Sequence, residues 1–148
     1  MSTITVKPVE SRREQKQFIN LANEIYAEDE MWCPPLLIDL KERAGFSKHP
    51  FHDINDTQTF IALRDGKVVG RIQAIVNHGH NQRYDEALGF FGLFESIHDQ
   101  EVANALFDQA RDWLAERGMT AMRGPVNPGL NYEVGLLIEG WHSPPCFM

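Results

Sequence analysis

Glu95, Arg71 and the trio Asn131-Tyr132-Glu133 are the side chains whose types and settings could do chemistry. Glu95 closes an apolar run and is flanked by Phe94 and Ile97. Desolvation there raises a carboxyl pKa and suits it to take a proton near neutral pH. The plainer reading is a solvated strand-end carboxylate. Arg71, between Gly70 and Ile72, either faces a ligand carboxylate or phosphate or pairs with a neighbouring acid on an exposed face. Asn131-Tyr132-Glu133 follows the Pro128-Gly129 turn and brings an amide, a phenol and a carboxylate close to a strand end, where loops often line sites. An Asx turn with a packed tyrosine is the alternative. His78-x-His80 could set two imidazoles on one side of a strand, with His49 and His52 in a loop. A metal needs several converging ligands, and no further spaced Cys or His supplies them. Cys33, beside Trp32 and two prolines with no histidine near, reads as a buried thiol, and Cys146 lies far from it in sequence.

These side chains must be positioned by the stretch from Leu88 to Met119. Leu88-Gly89-Phe90-Phe91-Gly92-Leu93-Phe94 is bulky on both faces of a period-2 pattern, which belongs to a strand inside a covered sheet. Asp99 is an N-cap candidate for a helix from Gln100 to Arg117, whose apolar stripe is Val102, Ala103, Leu106, Phe107, Ala110, Trp113 and Leu114. Gly118 stands at its C′ position. A strand feeding a helix N-terminus is a common anion-binding arrangement, because free N–H groups and the helix dipole point the same way.

Around that unit, Ile4 to Val9 alternates as a first strand, with Pro8 favouring an edge or an end. Ser11 with Glu14 reads as a capping box opening a helix that buries Phe18, Leu21, Ala22, Ile25 and Tyr26. Trp32-Cys33-Pro34-Pro35 is a turn, and Leu36, Leu37 and Leu40 give a short helix closed near Gly45. Residues 46–57 lack periodicity and read as a loop. Thr59–Arg64 and Lys67–Val76 form a hairpin about Asp65-Gly66, the dipeptide of a tight primed turn. A polar stretch, 77–86, leads to the central strand, and 120–125 gives another short strand. Residues 131–141 fit either a short helix or a loop with a strand. The hairpin predicts antiparallel pairing, and the unit around 88–124 predicts a parallel pair through a right-handed crossover. An α+β fold follows: a mixed, largely antiparallel central sheet with helices on both faces.

The chain has 148 residues, 43% of them hydrophobic and 24% charged, which suits one globular domain spanning 1–148. A net charge of −7 with scattered Lys and Arg argues against nucleic acid as a partner. No apolar run reaches membrane-spanning length, and the N-terminus lacks a signal-peptide pattern, so a reduced, cytoplasmic protein without a membrane partner is expected. The ending Pro144-Pro145-Cys146-Phe147-Met148 falls within the start of another apolar segment, as in the front part of something longer or a domain completed by a partner chain.

That element order resembles the GNAT superfamily of N-acyltransferases, which move an acyl group from coenzyme A to an amine. Trp32-Cys33-Pro34-Pro35-Leu36, Gly70-Arg71-Ile72, Gly89-Phe90-Phe91-Gly92-Leu93-Phe94-Glu95, Arg123-Gly124-Pro125 and Asn131-Tyr132-Glu133 are similar to the N-terminal part of a longer bacterial GNAT-related group. The resemblance implies a sheet lacking its last strands, an acetyl-CoA or other acyl-CoA donor, an amine acceptor and no metal. It implies Glu95 as general base, Tyr132 as general acid, and Leu93, Phe94, Asp99, Ala103 and Asn131 beside the cofactor. The family's glycine-rich pyrophosphate loop corresponds to His98-Asp99-Gln100-Glu101-Val102-Ala103, where only Ala103 fits its pattern. Asp99 and Glu101 put negative charge there. A non-catalytic GNAT-like module, pairing with another copy through an exposed sheet edge, is the second expectation.

Overall fold

A computed structural model describes residues 3–144; the ending 145–148, with Cys146, lies outside them. The elements run β1 (Ile4–Pro8), α1 (Arg12–Ile25), α2 (Leu37–Arg43), α3 (Pro50–Ile54), β2 (Asp56–Arg64), β3 (Lys67–Val76), α4 (His78–Tyr84), β4 (Leu88–Ser96), α5 (Gln100–Ala115), β5 (Ala121–Arg123), β6 (Val126–Asn127) and β7 (Glu133–Val134). Strands β1 to β5 form one sheet in sequence order, and β6 pairs with β7. Pairing is antiparallel from β1 to β4 and parallel between β4 and β5. The fold is therefore α+β, with the expected mixed, mostly antiparallel sheet.

Each face of the sheet carries a helix because alternate residues of β2 to β4 are apolar in both directions. On one face, Phe18, Ile19 and Leu21 of α1 and Leu40 of α2 pack on Ile61, Val68 and Leu93. On the other, Val102, Leu106, Ala110 and Leu114 of α5 pack on Phe60, Ala62, Val69, Ile72 and Ala74. The capping box forms as its residues predict: the Ser11 hydroxyl accepts from the Glu14 N–H, and the Glu14 carboxylate accepts from the Ser11 N–H.

Asp65 and Gly66 join β2 to β3 with φ of +51° and +78°, the left-handed pair of a primed hairpin turn. A Cβ at Gly66 would meet nothing within 4 Å, so the cost of a side chain there is backbone strain alone. Gly66→Val is expected to destabilise the fold by about 1–2 kcal/mol, read as a lower urea midpoint at unchanged slope. An unchanged midpoint would mean that the turn tolerates a β-branched residue.

The stretch 46–57, read as a loop, and the polar stretch 77–86 each hold a short helix. Within 46–57, Pro50 opens α3 instead of breaking structure, because proline at the first helical position loses no hydrogen bond. His49 caps this helix through Nδ1 and the Phe51 N–H at 3.2 Å. Within 77–86, the Asn77 side chain caps α4 by accepting from the His80 N–H at 3.0 Å. PFHDI and HGHNQRY carry too few apolar side chains for a helical period to show. Residues 131–141 are mostly irregular, containing the two-residue β7. Cys33 is exposed, against the buried thiol expected, because it lies in an irregular segment whose residues 33–36 are all at the surface.

Candidate active site around Glu95

A bulge in β4 decides which side chain faces Arg71. Gln73 is opposite Gly92, but Arg71 is opposite Glu95, so Leu93 and Phe94 together span the place of one residue against β3. Leu93 takes a φ of +49°, a conformation that costs a branched residue about 1 kcal/mol or more. Without the bulge, Phe94 would sit across from Arg71. With it, Phe94 turns to the α5 face and stacks on Phe107 at 4.7 Å, while Glu95 comes level with Arg71.

Side chains take up both backbone groups of Leu93. Its carbonyl accepts from Arg71 Nε at 3.1 Å, and its N–H donates to Asn127 Oδ1 at 2.7 Å. Arg71 is 4% exposed, and its hydrogen bonds go to backbone carbonyls. Its Nη1 donates to the Phe18 carbonyl at 2.7 Å, and the guanidinium lies 5.0 Å from the centre of the Phe18 ring. It therefore ties α1 to the bulge from inside the protein. Asn127 Nδ2 donates to Glu133 Oε2 at 2.9 Å, and Arg43 Nη1 reaches the same oxygen at 2.8 Å. The β6–β7 segment is thus tied over the bulge. Gly92 permits this approach, since a Cβ there would lie 1.8 Å from the Val126 carbonyl oxygen.

Glu95 is half-buried. Burial pushes its carboxyl above the usual range; the Tyr26 phenol and the Arg71 guanidinium pull it part-way back, and Glu133 adds a smaller push upward. Tyr26 Oη donates to Glu95 Oε2 at 2.6 Å. Tyr26 is the residue that sequence reasoning missed. Its position on the apolar stripe of α1 marked it for the core, and its partner is 69 residues away.

The other expected site residues are dispersed. Tyr132 packs against His49 and Phe51, with ring centres 5.7 and 6.1 Å away, and the phenol meeting Glu95 is that of Tyr26. Asn131 is exposed, and Leu93 is buried on the α1 face. Ala103 is half-buried in the first turn of α5, its N–H on the Asp99 carbonyl at 3.2 Å. His78 and His80 lie on α4 and meet separate carboxylates, those of Asp56 and Glu86. Among the described residues no group of His, Cys, Asp and Glu could hold a metal ion, and no helix is long and apolar enough to cross a membrane. Two open concavities of about 280 and 380 Å³ adjoin the hairpin turn and the start of β2; Glu95 lines neither.

Comparison with solved structures reveals the architecture. The aminoglycoside N-acetyltransferase AAC(6')-Iy, in complex with a bisubstrate analogue of coenzyme A, matches with a TM-score of 0.60 at 15% identity over 98% of this chain and 100% of that one. FeeM, an N-acyl amino acid synthase from uncultured soil microbes, matches with a TM-score of 0.57 at 13% identity over 80% of this chain and 69% of its own. The chain has the GNAT fold.

Curated relatives carry more sequence likeness over part of their length. Protein YghO of Escherichia coli K12 is 38% identical over 138 residues, 93% of this chain and 35% of its own. A bacterial ceramide synthase of Caulobacter vibrioides is 38% identical over 146 residues, 98% of this chain and 38% of its own. The chain spans a little over a third of the length of these relatives. No protein-family model matches it.

One solved neighbour is described in complex with coenzyme A, and the start of α5 can be tested against the pyrophosphate of that group. Asp99 Oδ1 accepts from the N–H groups of Glu101 and Val102 at 2.9 and 3.3 Å. Its Oδ2 pairs with Arg64 Nη1 at 2.8 Å, which holds the Asp99 carboxyl below its usual range. The donors that a phosphate needs are thus taken by the chain's own carboxylate, and Glu101 adds a second negative charge. These residues do not fit a pyrophosphate in this arrangement.

Proposed function

We propose that the chain, 1–148, is a GNAT-like acyltransferase domain that moves an acyl group from an acyl thioester to an amine, with Glu95 as general base. The observation that carries the reading is the Glu95 carboxylate itself: at the end of β4, raised by burial, with one oxygen bonded to Tyr26. An ammonium must lose a proton before it can attack a carbonyl carbon. A carboxylate whose affinity for protons has been raised accepts that proton more readily near neutral pH. The names of two similar proteins support amide formation as the outcome, since a ceramide and an N-acyl amino acid are both amides.

Acyl-CoA is the donor class favoured by the solved neighbours, one of which is described in complex with coenzyme A. Thermal shift or calorimetry with acetyl-CoA and longer acyl-CoAs tests it, together with thiol release on adding amines; no binding at millimolar ligand would overturn it. The α5 start gives a sharper test. Asp99→Gly with Glu101→Gly removes two negative charges, opens backbone N–H groups and leaves Arg64 as an unpaired cation beside them. The double variant is expected to fold less stably and to bind coenzyme A about tenfold more tightly. Unchanged affinity in a folded variant would show that the α5 start is no pyrophosphate cradle.

The occupied α5 start also favours a second reading, a non-catalytic module working through protein contacts. Leu136, Leu137 and Ile138 are 65%, 63% and 77% exposed, the kind of surface that pairing covers. Self-association through a sheet edge would appear in light scattering, and a stable monomer would count against it.

A further inference from the structure

Tyr26 follows the last residue of α1, and its N–H closes on the Ala22 carbonyl at 2.9 Å, so the helix end carries the phenol towards β4. Its O–H donates to Glu95 Oε2 at 2.6 Å, in the short range of a hydrogen bond to a charged acceptor. The ring is held from its other side. Trp32 lies against it with ring centres 4.7 Å apart and planes at 34°, and the Trp32 indole N–H donates to Asn23 Oδ1 at 3.0 Å. The segment after α1 therefore folds back on the helix's last turn and braces the phenol. Among the described residues, Glu95 Oε1 takes no hydrogen bond from the protein.

A glutamate turns about three side-chain torsions, and a base must keep one oxygen in place while the other meets the proton. We infer that Tyr26, braced by Trp32, is the positioning residue of Glu95, fixing Oε2 and leaving Oε1 as the oxygen that takes the proton from the acceptor amine. This rests on the general-base reading of Glu95. The groups facing that carboxylate are Tyr26 from the end of α1, Arg71 from β3 and Glu133 from β7, with Asp29 acting on Tyr26. Burial, then the bond to Glu95, pushes the Tyr26 phenol above its usual range, so it remains a neutral donor while Glu95 titrates.

The experiment compares the parent with Tyr26→Phe by carbon NMR of the Glu95 carboxyl and by the pH profile of acyl transfer. Loss of the phenol is expected to raise the Glu95 midpoint by about one pH unit. The acid limb of kcat moves with it, and kcat falls about tenfold at little change in KM. A midpoint that does not move overturns the inference, and so does a midpoint that moves while kcat and its pH profile stay put, since that is a packing tie only. If Tyr26→Phe does not fold, Trp32→Leu takes its place, because it keeps the phenol and removes the brace. A midpoint shifted in the same direction with lower kcat supports the inference, and no change overturns it. A parent protein that transfers no acyl group defeats the general-base reading and this inference with it; an active parent with an indifferent Tyr26 defeats only the inference.

Discussion

Glu95→Gln is expected to lower kcat for acyl transfer by at least about 100-fold near neutral pH while the fold is retained. The amide matches the carboxylate in shape, and its carbonyl oxygen still accepts from Tyr26 Oη, so the packing at the end of β4 survives. What it loses is basicity. Burial is the largest influence on the Glu95 carboxyl and acts against its ionised form. Removing the charge therefore should not lower stability at high pH, and a urea midpoint equal to or above the parent's is expected. In the parent, kcat rises as pH passes the raised Glu95 midpoint; in the variant that rise is absent. Transfer retained within about threefold would exclude Glu95 as the base. A lower urea midpoint would attribute lost activity to the fold.

Local chemistry made much of the sheet legible. Asp65-Gly66 specifies its turn through two positive φ angles, and the stripe from Val102 to Leu114 specifies the helix behind β4. The bulge was hidden for the opposite reason. Leu88 to Phe94 reads as unbroken alternation, and nothing in a leucine marks it for a left-handed conformation. That conformation at Leu93 is fixed by Arg71 on its carbonyl and Asn127 on its N–H, two partners distant in sequence. Since the bulge determines whether Phe94 or Glu95 faces Arg71, the candidate site was legible only as a list of residues. Glu95 could be singled out at a strand end, but its bond to Tyr26 could not, because the fold brings that phenol from the end of α1, 69 residues away. The Asp99 cap, in contrast, was readable from sequence; its Arg64 partner was not, because that pair joins the end of β2 to the start of α5.

Arg71→Met should destabilise the fold by about 2–4 kcal/mol near neutral pH, more than its helix contacts alone would suggest. The carbonyls of Phe18 and Ile19 lie inside α1 and keep their helical partners. The Leu93 carbonyl, in the bulge, loses its bond from Arg71 Nε. Relief from burying the guanidinium offsets part of this loss, but Glu95 is then left without the cation that opposes its desolvation. The consequence for pH has a definite sign. A carboxyl raised in the folded state binds protons there that the unfolded chain has already lost, so stability falls as pH rises from the unfolded value through the folded midpoint. Removing Arg71 raises that midpoint further and prolongs the fall. The variant's loss relative to the parent should therefore be larger at about pH 8 than at about pH 5, measured by urea unfolding at both. Equal losses at the two pH values would mean that Arg71 works through the Leu93 carbonyl alone, and that Glu95 does not depend on its charge.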